Sequence, residues 1–362
     1  MKMPYREDDK LIEDIRKIRN MKYETIKGYK STIRIYTRLH KKSFTSMLRE
    51  AEREEKKQTL WRERKVRQRL IDFRTHLIEQ DYMLRTIRQH MTRIKTVYYT
   101  FEIELRQLPQ ISEKNIKKPT PFYYSDLPDK QLIRTILPMC KPLYRAIVLF
   151  MLSSGCARKE TLNLKIKDFI SATSEYHNSD NISDVLMELV GRDDIVPTWN
   201  VYRFKTGRFY TTFCSPEATM SIVGYLLERK DNFNEDSVLF KVNERYFSEF
   251  FSTVNEKLQL GKVGTYNRFR SHVLRKFHAS ALYNDGMSMD AVNELQGKSK
   301  GRTDSAYFVV NPIGLKKEYV KHMGCVCVFS DGVNPGVWGK LDVSDFEDYS
   351  RWHDGVGEWV VK

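Results

Sequence analysis

What this chain of 362 residues lacks narrows its identity first. It has five cysteines (Cys140, Cys156, Cys214, Cys325 and Cys327), an odd number without framework spacing. That excludes a fully paired disulfide scaffold and leads to the expectation of a reducing, cytoplasmic setting. No apolar run approaches the ~20 residues a membrane-crossing helix requires. The longest, around Ala146–Leu152, has the length of a core helix, so no membrane partner is expected. The first ten residues are charged throughout, which argues against a secretory leader. Neither a repeat nor a low-complexity tract is present. Acidic charge is also scarce: 62 Lys and Arg face 47 Asp and Glu, a net charge of +15.

What is there is unevenly placed. Residues 1–110 hold 28 basic against 16 acidic side chains, residues 111–322 hold 31 against 24, and residues 323–362 hold 3 against 7. A strongly basic first third beside a more balanced remainder suits a polyanion clamp attached to a separate chemistry module. A solvated basic surface would leave the same composition.

Four domain-level segments are expected: a helical region over 1–108, a linker over 109–125, a second domain over 126–322 and an acidic tail over 323–362. Val66, Leu70, Phe73 and Leu77 recur at helical spacing, as do Ile87, Met91, Ile94 and Tyr98, so both sets predict amphipathic helices with core-facing stripes. Further helices are expected over Glu24–His40 and Phe44–Lys57. Arg62, Arg64, Lys65, Arg67 and Arg69 crowd the first striped helix, and Arg85, Arg88, Arg93 and Lys95 the second. These nine side chains are the candidate DNA-backbone contacts. Pro109, Pro119, Pro121 and Pro128 then break the helical pattern. Beyond them, a helical region over Asp129–Asp168 precedes a polar surface loop over Ser171–Asp184. Alternation over Asn200–Phe213, around Lys205-Thr206-Gly207-Arg208, predicts a β-hairpin. Helices are expected again over Pro216–Arg229, Glu244–Leu258, Leu274–Asp285, Met289–Leu295 and Pro312–His322.

The chemistry-bearing residues cluster late in the chain. His272 and Arg275 lie three apart, so on a helix they share a face and can address one anion. Leu295-Gln296-Gly297-Lys298 follows, and Tyr307 stands nine residues after Lys298. Together with Ser153-Ser154-Gly155-Cys156-Ala157-Arg158-Lys159-Glu160 and Tyr202-Arg203-Phe204-Lys205-Thr206-Gly207-Arg208, these blocks resemble, in order and spacing, the tyrosine recombinases of the phage and archaeal integrase family. The resemblance covers roughly 125 to 322. It implies a mainly α fold with a small antiparallel β-sheet, built as a helical core-binding domain and a catalytic domain. It also implies that Arg158, Lys205, His272, Arg275, Lys298 and Tyr307 are catalytic, and that the protein acts as a homo-tetramer on double-stranded DNA. Two departures stand out. The family places its first arginine two residues after the glycine, where this chain has Ala157; Arg158, three after Gly155, is the expected substitute. Lys298 stands where many members have histidine, and lysine is a poorer proton shuttle near neutral pH.

The implied chemistry explains the residue types. Guanidinium groups can brace the non-bridging oxygens of a phosphodiester, a tyrosine can attack phosphorus, and a lysine on a hairpin tip can protonate the leaving 5′-hydroxyl. A 3′-phosphotyrosyl bond stores the linkage energy, so no cofactor and no metal are expected. Gly297-Lys298-Ser299 lacks the earlier glycine that a P-loop demands. His322, Cys325 and Cys327 have loosely metal-like spacing without a fourth ligand. Three readings stay open: a recombinase that integrates or excises a mobile element, a type IB topoisomerase-like enzyme, and a DNA-binding protein whose tyrosine is structural. The tail, with Trp338, Trp352 and Trp359, fits a disordered appendage, a partner-binding element or an autoinhibitory strand.

Overall fold

The computed structural model describes residues 5–298 and 311–329. Tyr307 and the three tail tryptophans lie outside them. The chain divides into two units, Met1–Pro121 and Phe122–Lys362, each with its own apolar core.

The first unit contains α1 (Glu7–Ile18), α2 (Tyr23–His40), α3 (Phe44–Lys56), α4 (Lys65–Glu79) and α5 (Leu84–Thr100). Val66, Leu70, Phe73 and Leu77 of α4 are all buried, as are Ile87, Met91, Ile94 and Tyr98 of α5. Tyr36, Phe44, Phe73 and Tyr98 meet at the centre, where the Tyr36 and Tyr98 hydroxyls bond at 3.1 Å. A buried carboxylate from α1 completes the start of α3. Asp8 accepts from the backbone N–H groups of Phe44 (3.1 Å) and Thr45 (3.0 Å), donors that a helix's first turn leaves unpaired. After α5 the chain returns along this core: Ile103, Leu105, Leu108 and Ile116 are buried in it, and the Leu84 N–H donates to the Lys117 carbonyl at 2.9 Å.

The second unit is mainly α, with two small antiparallel sheets among the described residues. Its helices are α6 (Lys130–Ile136), α7 (Pro142–Ser154), α8 (Arg158–Thr161), α9 (Ile166–Thr173), α10 (Ile182–Leu189), α11 (Pro216–Glu228), α12 (Glu244–Lys257), α13 (Ser271–Asn284), α14 (Met289–Leu295) and α15 (Pro312–His322). Every residue of α7 from Ala146 to Ser154 is buried, because α11 and α13 pack against it. A helix apolar all round can be accommodated only at a domain centre. Truncating a side chain such as Phe150 there should cost ~3–5 kcal/mol. Strands β1 (Thr198–Arg203) and β2 (Arg208–Phe213) form the expected hairpin, with register from Thr198↔Phe213 to Arg203↔Arg208. A shorter ribbon pairs β3 (Lys262–Val263) with β4 (Tyr266–Asn267).

Two expectations need adjusting. The stretch Ser171–Asp184 is not wholly a surface loop: α9 runs to Thr173, α10 starts at Ile182, and Ala172, Thr173, His177 and Ile182 are buried. His322 bonds Asp285 at 2.8 Å and lies 3.5 Å from Glu318, so its ring faces carboxylates. The chain beyond α15 continues into the second core. Met323, Val326, Cys327 and Val328 are buried, and the buried Glu217 accepts from the N–H groups of Val328 (2.6 Å) and Phe329 (3.1 Å). Among the described residues no helix is long and apolar enough to cross a membrane.

Candidate active site

The site grows from the end of α7. Gly155 stops that helix in the left-handed region (φ +66°), and a Cβ there would lie 2.5 Å from the His278 ring. Only glycine meets both demands. Its carbonyl receives a hydrogen bond from Arg275 Nη1, while Arg275 Nη2 donates to the Gln296 carbonyl at 2.5 Å. Gln296 returns the contact, Nε2 donating to the Arg275 carbonyl at 2.9 Å. Arg275 is thereby fixed between α7, α13 and the end of α14, with its remaining N–H groups still able to donate.

Glu160 is the hub. It is buried and accepts from the Ala157 N–H (2.7 Å), the Tyr210 hydroxyl (2.9 Å) and Arg203 Nη1 (2.9 Å); Arg275 Nη1 lies 3.6 Å away. Arg203, at the end of β1, also donates to the Gln296 carbonyl at 3.0 Å. Arg203 and Arg275 therefore share one acceptor, so their guanidinium groups are neighbours. Gly297 follows in the left-handed region (φ +56°), with the Tyr210 ring so near that a Cβ would sit 2.5 Å from it. This turn presents Lys298, whose ammonium is held below its ordinary value by partial burial and then by Arg275 and Arg203. Tyr210 also approaches Cys156 Sγ at 3.4 Å, and burial pushes that thiol up to about 11. Cys156 is inert packing rather than a nucleophile.

His272 and Arg275 are both on α13, which begins at Ser271, and the three-residue spacing does put them on neighbouring positions of one face. Partial burial, then Lys276, Arg270 and Arg275, holds the His272 imidazole below its usual value. That shift favours the neutral imidazole, whose free ring nitrogen can accept a proton. Lys205 is exposed in the turn between β1 and β2, which closes with Gly207 N–H donating to the Arg203 carbonyl at 2.8 Å. Tyr202 packs against Phe204 and Phe209, each ring pair 5.1 Å apart, and so braces that tip.

Arg158 is placed differently. Its side chain is directed at α12, with Nη1 3.5 Å from Ser248 Oγ and Nη2 3.9 Å from Glu244. Among the described residues it shares no partner with Arg275 or Lys298. The structure thus brings together Arg275, Lys298 and His272's helix face, adds Arg203, and leaves Arg158 on another side. Arg203 was not expected from the sequence. The available signal was its position two residues before Lys205 on a predicted strand, and the acidic Glu160 that would need a partner.

The nine basic candidates of the first unit are mostly engaged. Arg64 pairs with Glu55 at 2.8 Å, Arg88 with Glu113 at 2.7 Å and Arg62 with Glu63 at 3.3 Å. Glu50 gathers Lys42 (3.0 Å), Lys65 (2.8 Å) and Arg69. Burial opposes ionisation of Glu50, but those three hydrogen bonds prevail and hold its carboxyl at about 2. Arg93 lies over Gly28 and donates to Thr32 at 3.4 Å. Burial and Arg74 lower the Lys95 ammonium. Arg85 is exposed and Arg67 half-buried.

A profile described as the phage integrase family matches residues 129–312. No curated protein sequence matches the chain. Among solved structures, the XerA recombinase is 17% identical over 86% of this chain and 98% of its own, with a TM-score of 0.35. The XerH site-specific recombinase bound to difH substrate is 16% identical over 69% of each chain, with a TM-score of 0.44. The Tn1549 transposon integrase in complex with transposon right end DNA is 14% identical over 85% of this chain and 98% of its own, with a TM-score of 0.48.

Proposed function

The chain belongs to the phage integrase family and is a site-specific tyrosine recombinase, an enzyme that cuts and rejoins DNA strands; from that premise we propose that Tyr307 is its nucleophile. In this reading the phenol oxygen bonds to phosphorus, the bond from phosphorus to O5′ breaks, and the electron pair leaves on O5′. The 5′-hydroxyl of a second strand later reverses the step. The linkage energy stays in the covalent 3′-phosphotyrosyl bond throughout.

The observation that carries this proposal is the convergence of Arg275 and Lys298 on the Gln296–Gly297 turn beside a single carboxylate, Glu160. Cations held that close repel one another unless an anion joins them, and a pentavalent phosphorane carries more negative charge than its ground state. Arg275 would donate to a non-bridging oxygen, His272 would take the phenol proton, and Lys205 would protonate O5′ as it leaves. Tyr307 follows Lys298 by nine residues, a tether short enough to place the phenol at this cluster. Arg158, aimed at α12, stands on the rim as a candidate backbone contact. The reading extends to a homo-tetramer on double-stranded DNA, integrating or excising a mobile element.

The test uses a pool of nicked duplexes with randomised flanks, followed by denaturing electrophoresis. Wild type should form a protein–DNA adduct, and Tyr307→Phe should lose it while still retarding the selected duplex in a native gel. An adduct that persists in Tyr307→Phe refutes the assignment.

A further inference from the structure

The second guanidinium of this site has an unexpected source. The position two residues after Gly155 is Ala157, which has no donor to offer, and Arg158 points to Ser248 and Glu244. Arg203 reaches the centre from the hairpin instead. We infer that Arg203 supplies the second guanidinium to the scissile phosphate, paired with Arg275 across the Gln296 carbonyl.

Three observations carry this assignment, which rests on the recombinase reading above. The first is position. Arg203 donates to Glu160 at 2.9 Å and to the Gln296 carbonyl at 3.0 Å, the same two residues that meet Arg275. The second is charge. Glu160 is the one carboxylate in contact with both arginines among the described residues, and Lys298 stands beside them, so three cations face one anion. Two nearly buried guanidinium groups on one buried carboxylate, with the exposed Lys298 at their edge, leave excess positive charge that a further anion would offset. The third is spare donor capacity. Both of these bonds use Nη1, and Nε is buried without a hydrogen-bond partner. A guanidinium has five N–H donors, so a fork remains for a phosphate. Glu160 then acts as a positioning residue, holding Arg203 with its Oε1.

A purely structural ion pair would look similar in the free protein, so the test separates the two by the charge of the substrate. The duplex selected from the nicked pool is synthesised twice, once with its scissile phosphodiester and once with a neutral methylphosphonate there. With the phosphodiester, Arg203→Ala should form adduct about 10²–10³-fold more slowly than wild type, the range expected for one transition-state donor. Arg158→Ala should stay within about tenfold, as a rim contact would. With the methylphosphonate, less charge needs stabilising, and Arg203→Ala should approach the wild-type rate. Arg203→Lys, which can keep the pairing with Glu160, separates misfolding from lost donors: it should retain the wild-type melting temperature and still cleave slowly. Equal losses of Arg203→Ala on both substrates, or a wild-type rate on the phosphodiester, overturn the assignment of Arg203 alone. Absence of any wild-type adduct overturns the recombinase reading, and this assignment with it.

Discussion

The two units of the molecule hold their arginines in opposite ways. In the first, carboxylates meet the cations: Glu50 takes Lys42, Lys65 and Arg69, Glu55 takes Arg64, and Glu113 takes Arg88. In the second, one buried carboxylate serves Arg203 and Arg275, with Lys298 beside them. The first unit has the greater density of basic residues in sequence, and the second has the unsatisfied charge in space. Glu50 faces three cations too, but each of them contacts it, whereas Lys298 stands beside Arg203 and Arg275 without an ion pair to Glu160. The difference teaches that a reactive anion site is marked by a cation left over rather than by abundance. A saturated ion-pair network stabilises its own fold and offers a phosphate only its outer cations. A starved one waits for a ligand.

The sharpest way to break this comparison is to remove one cation from each side. Arg275→Ala should slow adduct formation by at least ~10²–10³-fold, since one transition-state donor is lost. Its affinity for the selected duplex should change far less. Arg69→Ala should leave the cleavage rate within a few-fold and instead lower the melting temperature, because Glu50 would lose a buried partner. Quench-flow rates and thermal melts of the two variants decide the matter. Comparable cleavage defects would erase the distinction.

Acid offers a smaller and separable effect. His278 is fully buried against Gly155, accepts from Gln296 Nε2 at 3.2 Å, and is pushed down to about 3 by burial and then by Arg275 and Lys298. Its folded value lies below its unfolded one, so its contribution to stability is complete above about 6.5 and is lost as pH falls toward 3. Each pH unit in that window should cost up to about tenfold in the folding equilibrium. Burial lowers His40 and His90 of the first unit as well, so the wild-type slope is shared. The difference between wild type and His278→Gln isolates one histidine. Urea denaturation at pH 7, 6 and 5 should give a shallower pH dependence for the variant. Glu50, by contrast, holds its value of stabilisation down to about 4.5 and loses it only as pH falls toward 2.

The smallest expected effect concerns the outer arginines of the first unit. Exposed Arg85 is free to meet a phosphate, so Arg85→Ala should reduce DNA affinity a few-fold and lower the salt-dependence slope by about 0.9. Arg64→Ala, losing a side chain already bonded to Glu55, should leave that slope unchanged. Titrations by fluorescence anisotropy at several salt concentrations report both.

Much of this architecture was legible in the sequence because it is periodic. The stripes of α4 and α5 bury the side chains their spacing selects, and the Gly207 turn sits where the hairpin was expected. His272 and Arg275 share a helix face because α13 begins at Ser271, three residues before the expected start. What escaped was non-periodic. Ile103, Leu105, Leu108 and Ile116 enter the first core singly, from a stretch with prolines and no repeat. Arg203 escaped for another reason. Strand alternation assigns a side chain to a face but does not name its partner, and Glu160 is 43 residues away. From pattern alone, Arg203 and Arg208 are equivalent ends of one hairpin; only the fold distinguishes the one that reaches Glu160. The displaced Arg158 carried the same lesson from the other side, since nearness in sequence to Gly155 did not bring it to Arg275.

The central claim is that the charge-starved cluster of the second unit is where a phosphodiester is broken by a tyrosine. Peptide mapping of the covalent adduct tests it most directly: the trapped complex is digested with trypsin and nuclease, and the nucleotide-bearing peptide is sequenced by tandem mass spectrometry. The nucleotide should be found on Tyr307, in a peptide that begins shortly after Lys298. A nucleotide attached to any other side chain, or no modified peptide from a complex that survives denaturation, would contradict the account.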